Sequence, residues 1–311
     1  MPSTRRRGKL RALRTWKGSI IQPTNDSYPR PRMVALDVDG TLLDPAGVVR
    51  PRVREAVRQT LERGVLVTLA TGRRFATASA VAQELGLELP LVLHGGTIIQ
   101  DSATGELLYE DAMSRPLLQT VIEEVVGHHQ QPVLFTSPAS ETELLSGPAE
   151  RDNHVTARYL NSHSSLRRLS YEDLSLAPHV VSVGVMHEED CLRPLYNRLS
   201  VWPTCEVLLW EPDAMYEGGV DYLIDVVNAG SSKSKALAHL ASSYGIGMHE
   251  VMAIGDQVND LQLIEAVGLG IAMGNAIPAV QQRAKLVVGT NAEDGVAEAL
   301  HRFVLNGETG A

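Results

Sequence analysis

Cysteine is almost missing from this chain, with Cys191 and Cys205 the only two in 311 residues. Two thiols build no disulfide framework, and both are expected to stay reduced in a cytoplasmic protein. Long apolar runs are missing too. No window reaches the ~20 apolar residues of a membrane-crossing helix, so no membrane partner is expected. Acid is scarce at one end only. Residues 1–32 hold nine Lys or Arg, one acid (Asp26) and no apolar core of a secretory signal. The leader reads as a disordered extension, or as sequence ahead of a true start at Met33, in preference to a transit peptide or a nucleic-acid arm. Beyond it, 19 basic residues face 36 acidic ones, a net charge of −17. Such a body makes nucleic acid a poor partner and suits a cation-dependent site. Oligomeric state leaves no mark in the sequence.

What is present begins with "VALDVDGTLL" at residues 34–43. Val34, Ala35 and Leu36 form an unbroken apolar run, as in a buried parallel strand, and Asp37 falls where such a strand should end. Asp37 and Asp39 share one side of an extended chain. Two neighbouring carboxylates repel unless a cation or a shared proton intervenes. "VLVTLATGR", "PLVLHGG", "VMAIGD" and "GIAMGN" repeat the pattern, an apolar strand closed by small polar residues. Helical spacing in "RPRVREAVRQTLERG" and "RRFATASAVAQELG" separates the first of them. The fold class is therefore α/β, with a doubly wound parallel sheet whose carboxyl ends converge on one rim.

From about Met113 the rhythm changes to closely spaced strands between helices, and the first rhythm returns near Ser231. This predicts a core of residues 33–112 and 229–311, with an inserted α+β domain over 113–228 carrying an antiparallel sheet. Asp256 and Asp260 stand four apart in "GDQVND". A helix starting at or just after Asp256 would bring them to one side of its first turn. With Asp37 and Asp39 they would make four converging carboxylates, which need a cation. Oxygen ligands without cysteine favour Mg²⁺ over zinc. Lys233 precedes or opens a helix, where a cation is unfavourable unless an anion binds, so it is a candidate phosphate contact; Lys235 reads as a solvated face. Thr71 and the Gly72 amide offer hydrogen bonds to phosphoryl oxygens. His94 reads as a packed rim histidine.

"DVDGT", "ATGR", Lys233 and "GDQVND", in that order, resemble the four motifs of the haloacid dehalogenase superfamily. "LDVDGTLL", "GIAMGNAIPAVQQRA" and "NAEDGVAEAL" are similar to its Cof-type phosphatases, which carry a large α/β cap between the second and third motifs. The resemblance spans Met33 to about Phe303. It implies Asp37 as nucleophile, Asp39 as general acid and then base, and an aspartyl-phosphate intermediate. It also implies Mg²⁺ held by the Asp37 side chain, the Asp39 carbonyl and Asp256. Asp260 would bond outer waters or Lys233, while Thr71, Lys233 and Asn259 orient the phosphoryl group. The implied substrate is a small phosphorylated metabolite such as a sugar phosphate. A phosphomutase and a catalytically idle binding module are the alternatives. Two departures stand out: Gly95-Gly96-Thr97 where Asn-Gly-Ala is usual, and Gln257 where Gly is common. In the inserted region Arg151, Asp152, His154 and Arg158 are polar candidates to face substrate, with a solvated surface the favoured reading.

Overall fold

The computed structural model describes residues 28, 30–210 and 222–306; nearly all of the basic leader lies outside the described residues. The chain opens with β1 (Met33–Leu36), α1 (Pro51–Glu62), β2 (Leu66–Leu69), α2 (Phe75–Glu84), β3 (Leu91–Leu93), β4 (Ile98–Gln100) and β5 (Leu107–Glu110). The middle holds α3 (Arg115–Gly127), β6 (Val133–Thr136), β7 (Leu144–Ser146), α4 (His154–Asn161), β8 (Leu166–Arg168) and α5 (Tyr171–Leu174). It continues with β9 (Val180–His187), α6 (Glu189–Leu199), β10 (Cys205–Trp210) and β11 (Tyr222–Asn228). Then come α7 (Lys233–Ser243), β12 (Val251–Gly255), α8 (Leu261–Ala266), β13 (Leu269–Ala272), α9 (Pro278–Arg283), β14 (Leu286–Val287) and α10 (Gly295–Leu300).

The central sheet runs β14-β13-β12-β1-β2 with every pair parallel. Apart from the edge strand β14, where Val287 is exposed, its strands are short and buried on both faces, which is why they read as apolar runs. Alternate residues serve opposite layers. Val34 and Leu36 pack with Val53, Ala56 and Val57 of α1, whereas Met33 and Ala35 pack with Leu237 and Leu240 of α7. Each fully buried Val or Leu contributes ~1.5–3 kcal/mol, so both layers are needed. The third apolar run, β3, touches β2 through one parallel bridge, Ala70 to Val92. It then turns into an antiparallel sheet with β4 and β5. That hairpin was not anticipated, because three- and four-residue strands give little period-two signal.

The second sheet is drawn wholly from the middle of the chain, in the order β10-β11-β9-β6-β7-β8. It is antiparallel except for the parallel pair β7 and β8. Leu134, Val183, Ile224 and Val226 bury one face against α3 and α6. Val133, Phe135, Met186 and Leu223 turn the other way, into the apolar cluster that also holds α4 and the core. Phe135 reaches His94 edge-on, with ring centroids 6.3 Å apart. Where the chain passes between the two sheets, Asp111 accepts hydrogen bonds from Asn228 (2.9 Å), Ser231 (2.7 Å) and Lys235 (2.6 Å). Lys235 is solvated, as expected, with 49% of its side chain exposed, and it also ties the two crossings through Asp111.

Candidate active site

Because β1 and β12 are parallel neighbours, with Leu36 beside Ile254, the residues following them leave the sheet at one rim. Asp37 steps off β1, its amide donating to the Ile254 carbonyl at 3.0 Å. The loop then bends at Gly40, whose φ is +72°. A Cβ there would lie 2.3 Å from Asp256 Oδ2, so only glycine lets the loop close over that carboxylate. Thr41 donates its hydroxyl to Asp256 Oδ1 at 2.7 Å, and Asn275 donates from Nδ2 to the Gly40 carbonyl at 2.7 Å.

Lys233, fully buried at the first turn of α7, donates to Asp37 Oδ1 at 2.6 Å and to Asp260 Oδ1 at 2.7 Å. Asp260 Oδ2 accepts the amides of Asp256 and Gln257, both at 3.0 Å. These bonds make Asp260 the anchor of Lys233 and of the turn bearing Asp256. The expected helix does not begin at Asp256. A single 3₁₀ turn, Val258–Asp260, intervenes and α8 starts at Leu261, so the two acids meet through this capping turn. Carboxylate oxygens of Asp37, Asp256 and Asp260 lie within 4.8 Å of one another. One ammonium against three buried carboxylates leaves a net negative centre. Burial pushes the Asp37 carboxyl well above the usual range; Asp260 and Asp256 add to this and Lys233 opposes it. For Lys233 burial would favour the neutral amine, but Asp260 and Asp37 outweigh it and raise its pKa. An oxygen-only, net negative, glycine-cleared set of Asp37, Asp256 and Asp260 fits a hard divalent cation.

Asp39 stands apart from that cluster. Its carboxylate is gripped by Arg73, Nε to Oδ2 at 2.8 Å and Nη2 to Oδ1 at 2.6 Å. The expectation of four converging carboxylates is corrected to three, because the guanidinium fork offers Asp39 a better partner than three like charges do. Thr71 is buried and accepts the Arg73 amide on Oγ1 at 3.1 Å, so its hydroxyl proton is available to a ligand. Its own amide is spent on Val92 O (2.9 Å). Asn259 Nδ2 would lie 3.9 Å from a Cβ at Gly72, which sets the motif of Thr71 and Gly72 beside the Asp256 turn. Asn259 Oδ1 is buried without a hydrogen-bond partner.

Sequence reasoning gave no role to Arg73, Thr41 or Asn275, although each lies inside a quoted motif and Asn275 closes a rim strand. An arginine one residue past a strand-end Thr-Gly was the available signal for the first. Gly96 also gains a reason. Its φ is +101°, and a Cβ would lie 2.2 Å from Ser232 O and 2.5 Å from Lys233 N. The glycine lets the end of β3 press on the start of α7 and so positions Lys233. His94, half-buried, is held neutral with a pKa lowered to about 4 by burial and, secondarily, by Arg74. Of the polar candidates in the middle region, Arg151, His154 and Arg158 are exposed. Asp152 instead accepts a fork from Arg168, at 2.9 and 2.5 Å, and a bond from Gln131. A cavity of about 600 Å³ opens between the two sheets, with Arg74, Phe75 and His94 on the core side and residues of 136–143 and 162–165 opposite.

A family model of haloacid dehalogenase-like hydrolases matches residues 34–300. Among curated relatives, the pyridoxal phosphate phosphatase YbhA of Escherichia coli is 28% identical over 88% of this chain and 99% of its own. The 5-amino-6-(5-phospho-D-ribitylamino)uracil phosphatase YcsE of Bacillus subtilis is 29% identical, over 88% and 96%. A crystal structure of a haloacid dehalogenase-like hydrolase from Bacteroides thetaiotaomicron superposes with a TM-score of 0.69 at 26% identity, covering 87% of this chain and 98% of that one.

Proposed function

Since the chain belongs to the haloacid dehalogenase-like hydrolases, we propose that it is a phosphatase acting on a small phosphorylated metabolite, with Asp37 as nucleophile and Mg²⁺ as its metal. The observation that carries this reading is the buried line Asp37, Lys233, Asp260. It presents one carboxylate at a strand end, backed by a lysine buried away from solvent and held by two carboxylates. A dianionic phosphate approaching Asp37 meets that ammonium and the Thr71 hydroxyl. Both neutralise oxygens that gain charge as phosphorus is transferred.

Asp37 attacks phosphorus and the leaving oxygen departs, taking a proton from Asp39. Asp39, now a carboxylate, takes a proton from water. The resulting hydroxide attacks the phosphorus of the aspartyl-phosphate, releasing phosphate and restoring Asp37. Arg73 orients Asp39 between these steps, and the acid step requires Asp39 to exchange its guanidinium contact for the leaving oxygen. Asp37, Asp256 and the Asp39 carbonyl would hold Mg²⁺, which would supply positive charge to the phosphoryl oxygens. Gly72 and Asn259 complete the phosphate contacts, the latter through its Nδ2, while its orphaned Oδ1 accepts from a bound group. Residues 113–228 serve as a cap over this centre. We place the protein in the cytoplasm, where its two free thiols, Cys191 and Cys205, stay reduced.

The test is Asp37→Asn on p-nitrophenyl phosphate and on a panel including pyridoxal phosphate and sugar phosphates, with Mg²⁺ and with EDTA. A loss of at least ~10³-fold for the variant, and of turnover in EDTA, is expected. Turnover that survives the substitution removes Asp37 from the role. A wild-type protein inert across the panel favours an idle binding module.

A further inference from the structure

Away from the reaction centre, one cluster in the inserted region mixes nitrogen, oxygen and sulfur donors. His187 ends β9, Glu188 is the N-cap residue of α6 and Cys191 lies in the first turn of that helix. The Glu188 side chain makes no capping hydrogen bond, and three-residue spacing sets it on the same side of the turn as Cys191. One donor atom from each of the three residues lies within 4.8 Å of the others. His154, the first residue of α4, brings a fourth donor. Its Nε2 is 3.9 Å from Glu188 Oε1, and its ring stands edge-on to that of His187 with centroids 6.0 Å apart.

The backbone enforces this meeting. Asn153 caps α4 by accepting the Thr156 amide at 2.9 Å, and its Nδ2 donates to the Met186 carbonyl at 2.8 Å. Thr156 Oγ1 donates to the same carbonyl at 3.1 Å. The residue after Asn153 is thus laid beside the residue after Met186, and these two are the histidines. Through Val155 and Leu160, α4 packs on one face of the inserted sheet, whereas α6 packs on the other through Leu192 and Leu195. The four donors therefore gather where the two faces meet, at the end of β9. The Glu188 amide donates to His187 Nδ1 at 2.8 Å, so the ring presents a lone pair there, and an ion bound by the ring takes the place of that contact.

We propose that His154, His187, Glu188 and Cys191 form a binding site for a borderline divalent transition ion, of which Zn²⁺ is the type. Imidazole and thiolate suit such an ion and are poor ligands for Mg²⁺, so the donor chemistry separates this site from the all-carboxylate cluster of Asp37, Asp256 and Asp260. Zinc bonds of ~2.0–2.3 Å place tetrahedral donors ~3.3–3.8 Å apart, which exposed side chains already within 4.8 Å reach by small rotations. The Cys191 thiol gives its proton to solvent as the metal–sulfur bond forms. The ion then ties α4 to α6 across the end of β9. This site does not depend on the phosphatase reading.

Cobalt titration of the full chain tests it, with the protein stripped by EDTA and returned to excess Mg²⁺ under reducing conditions. The carboxylate cluster has no sulfur, and the other thiol, Cys205, is buried against the Leu199 carbonyl. A thiolate-to-cobalt charge-transfer band in the near ultraviolet therefore reports Cys191 alone. The band should appear, saturate at one ion per chain and vanish when Zn²⁺ displaces Co²⁺. It should be absent from Cys191→Ser. Zinc affinity, read by competition with a chromophoric chelator, should fall at least ~10-fold in His187→Ala and in the exposed His154→Ala. No band in the wild-type protein, a band that survives Cys191→Ser, or a zinc affinity unmoved by either histidine substitution overturns the proposal. Hydrolysis of p-nitrophenyl phosphate in Mg²⁺ is a separate readout, and its failure bears on the phosphatase reading and not on this site.

Discussion

Arg73 holds both carboxylate oxygens of Asp39, at 2.8 and 2.6 Å, with little of either side chain exposed to solvent. A planar fork fixes the plane of the carboxylate as well as its charge, which a lysine cannot do. Arg73→Ala should lower kcat by ~10²-fold on alkyl phosphates, within the range of general acid catalysis, and Arg73→Lys should recover little. The loss should shrink on p-nitrophenyl phosphate, whose leaving group needs less protonation. Steady-state kinetics on both substrates decide, and equal losses would show that Arg73 does not act through Asp39.

Lys233 bridges Asp37 and Asp260 with no exposed side-chain surface. Lys233→Met strips the cation from two buried carboxylates, which should cost ~3–5 kcal/mol and abolish turnover. Urea unfolding in EDTA reads the cost. An unchanged midpoint would mean that solvent already reaches the pair.

Gly96→Ala introduces a Cβ 2.2 Å from Ser232 O at a φ of +101°. Strain and overpacking together should cost ~2–4 kcal/mol. Turnover should fall further than stability alone explains, because Lys233 follows Ser232. Comparing kcat below the unfolding transition with the shift in Tm separates these effects, and full kcat in folded protein would show that Lys233 has not moved.

Asp225, on β11, has an Oδ1 buried without a partner. Burial pushes its carboxyl up to about 6 from 3.8, with Ser182 opposing through a hydrogen bond. The folded state binds the proton more tightly than the unfolded one. The resulting stabilisation is complete below pH 3.8 and is lost as pH rises through 6. Asp225→Asn should therefore stabilise the protein by ~1–3 kcal/mol at pH 7.5 and by almost nothing at pH 3.8. Unfolding midpoints at the two pH values test this. A benefit that does not change with pH would rule out ionisation as the cause.

The parallel core was legible because strands buried on both faces must be apolar throughout and must stop where polar groups begin. Asp37, Thr71 and Asp256 each mark such a stop, and the sheet order brings the stops together. The β4–β5 hairpin was not legible, being too short to show a period, nor was the parallel pairing of β7 with β8, which depends on partners distant in the chain.

Local chemistry thus settled which residues stand at strand ends, since an apolar run and its polar stop are written in adjacent positions. Which carboxylates would meet was a matter of tertiary structure. Asp39 turns to Arg73, 34 positions along the chain, and Lys233 crosses 196 positions to reach Asp37. The physical reason is that electrostatic pairing depends on distance through space, and only the packed sheet and the Gly96 contact on α7 bring those groups within a hydrogen bond of each other.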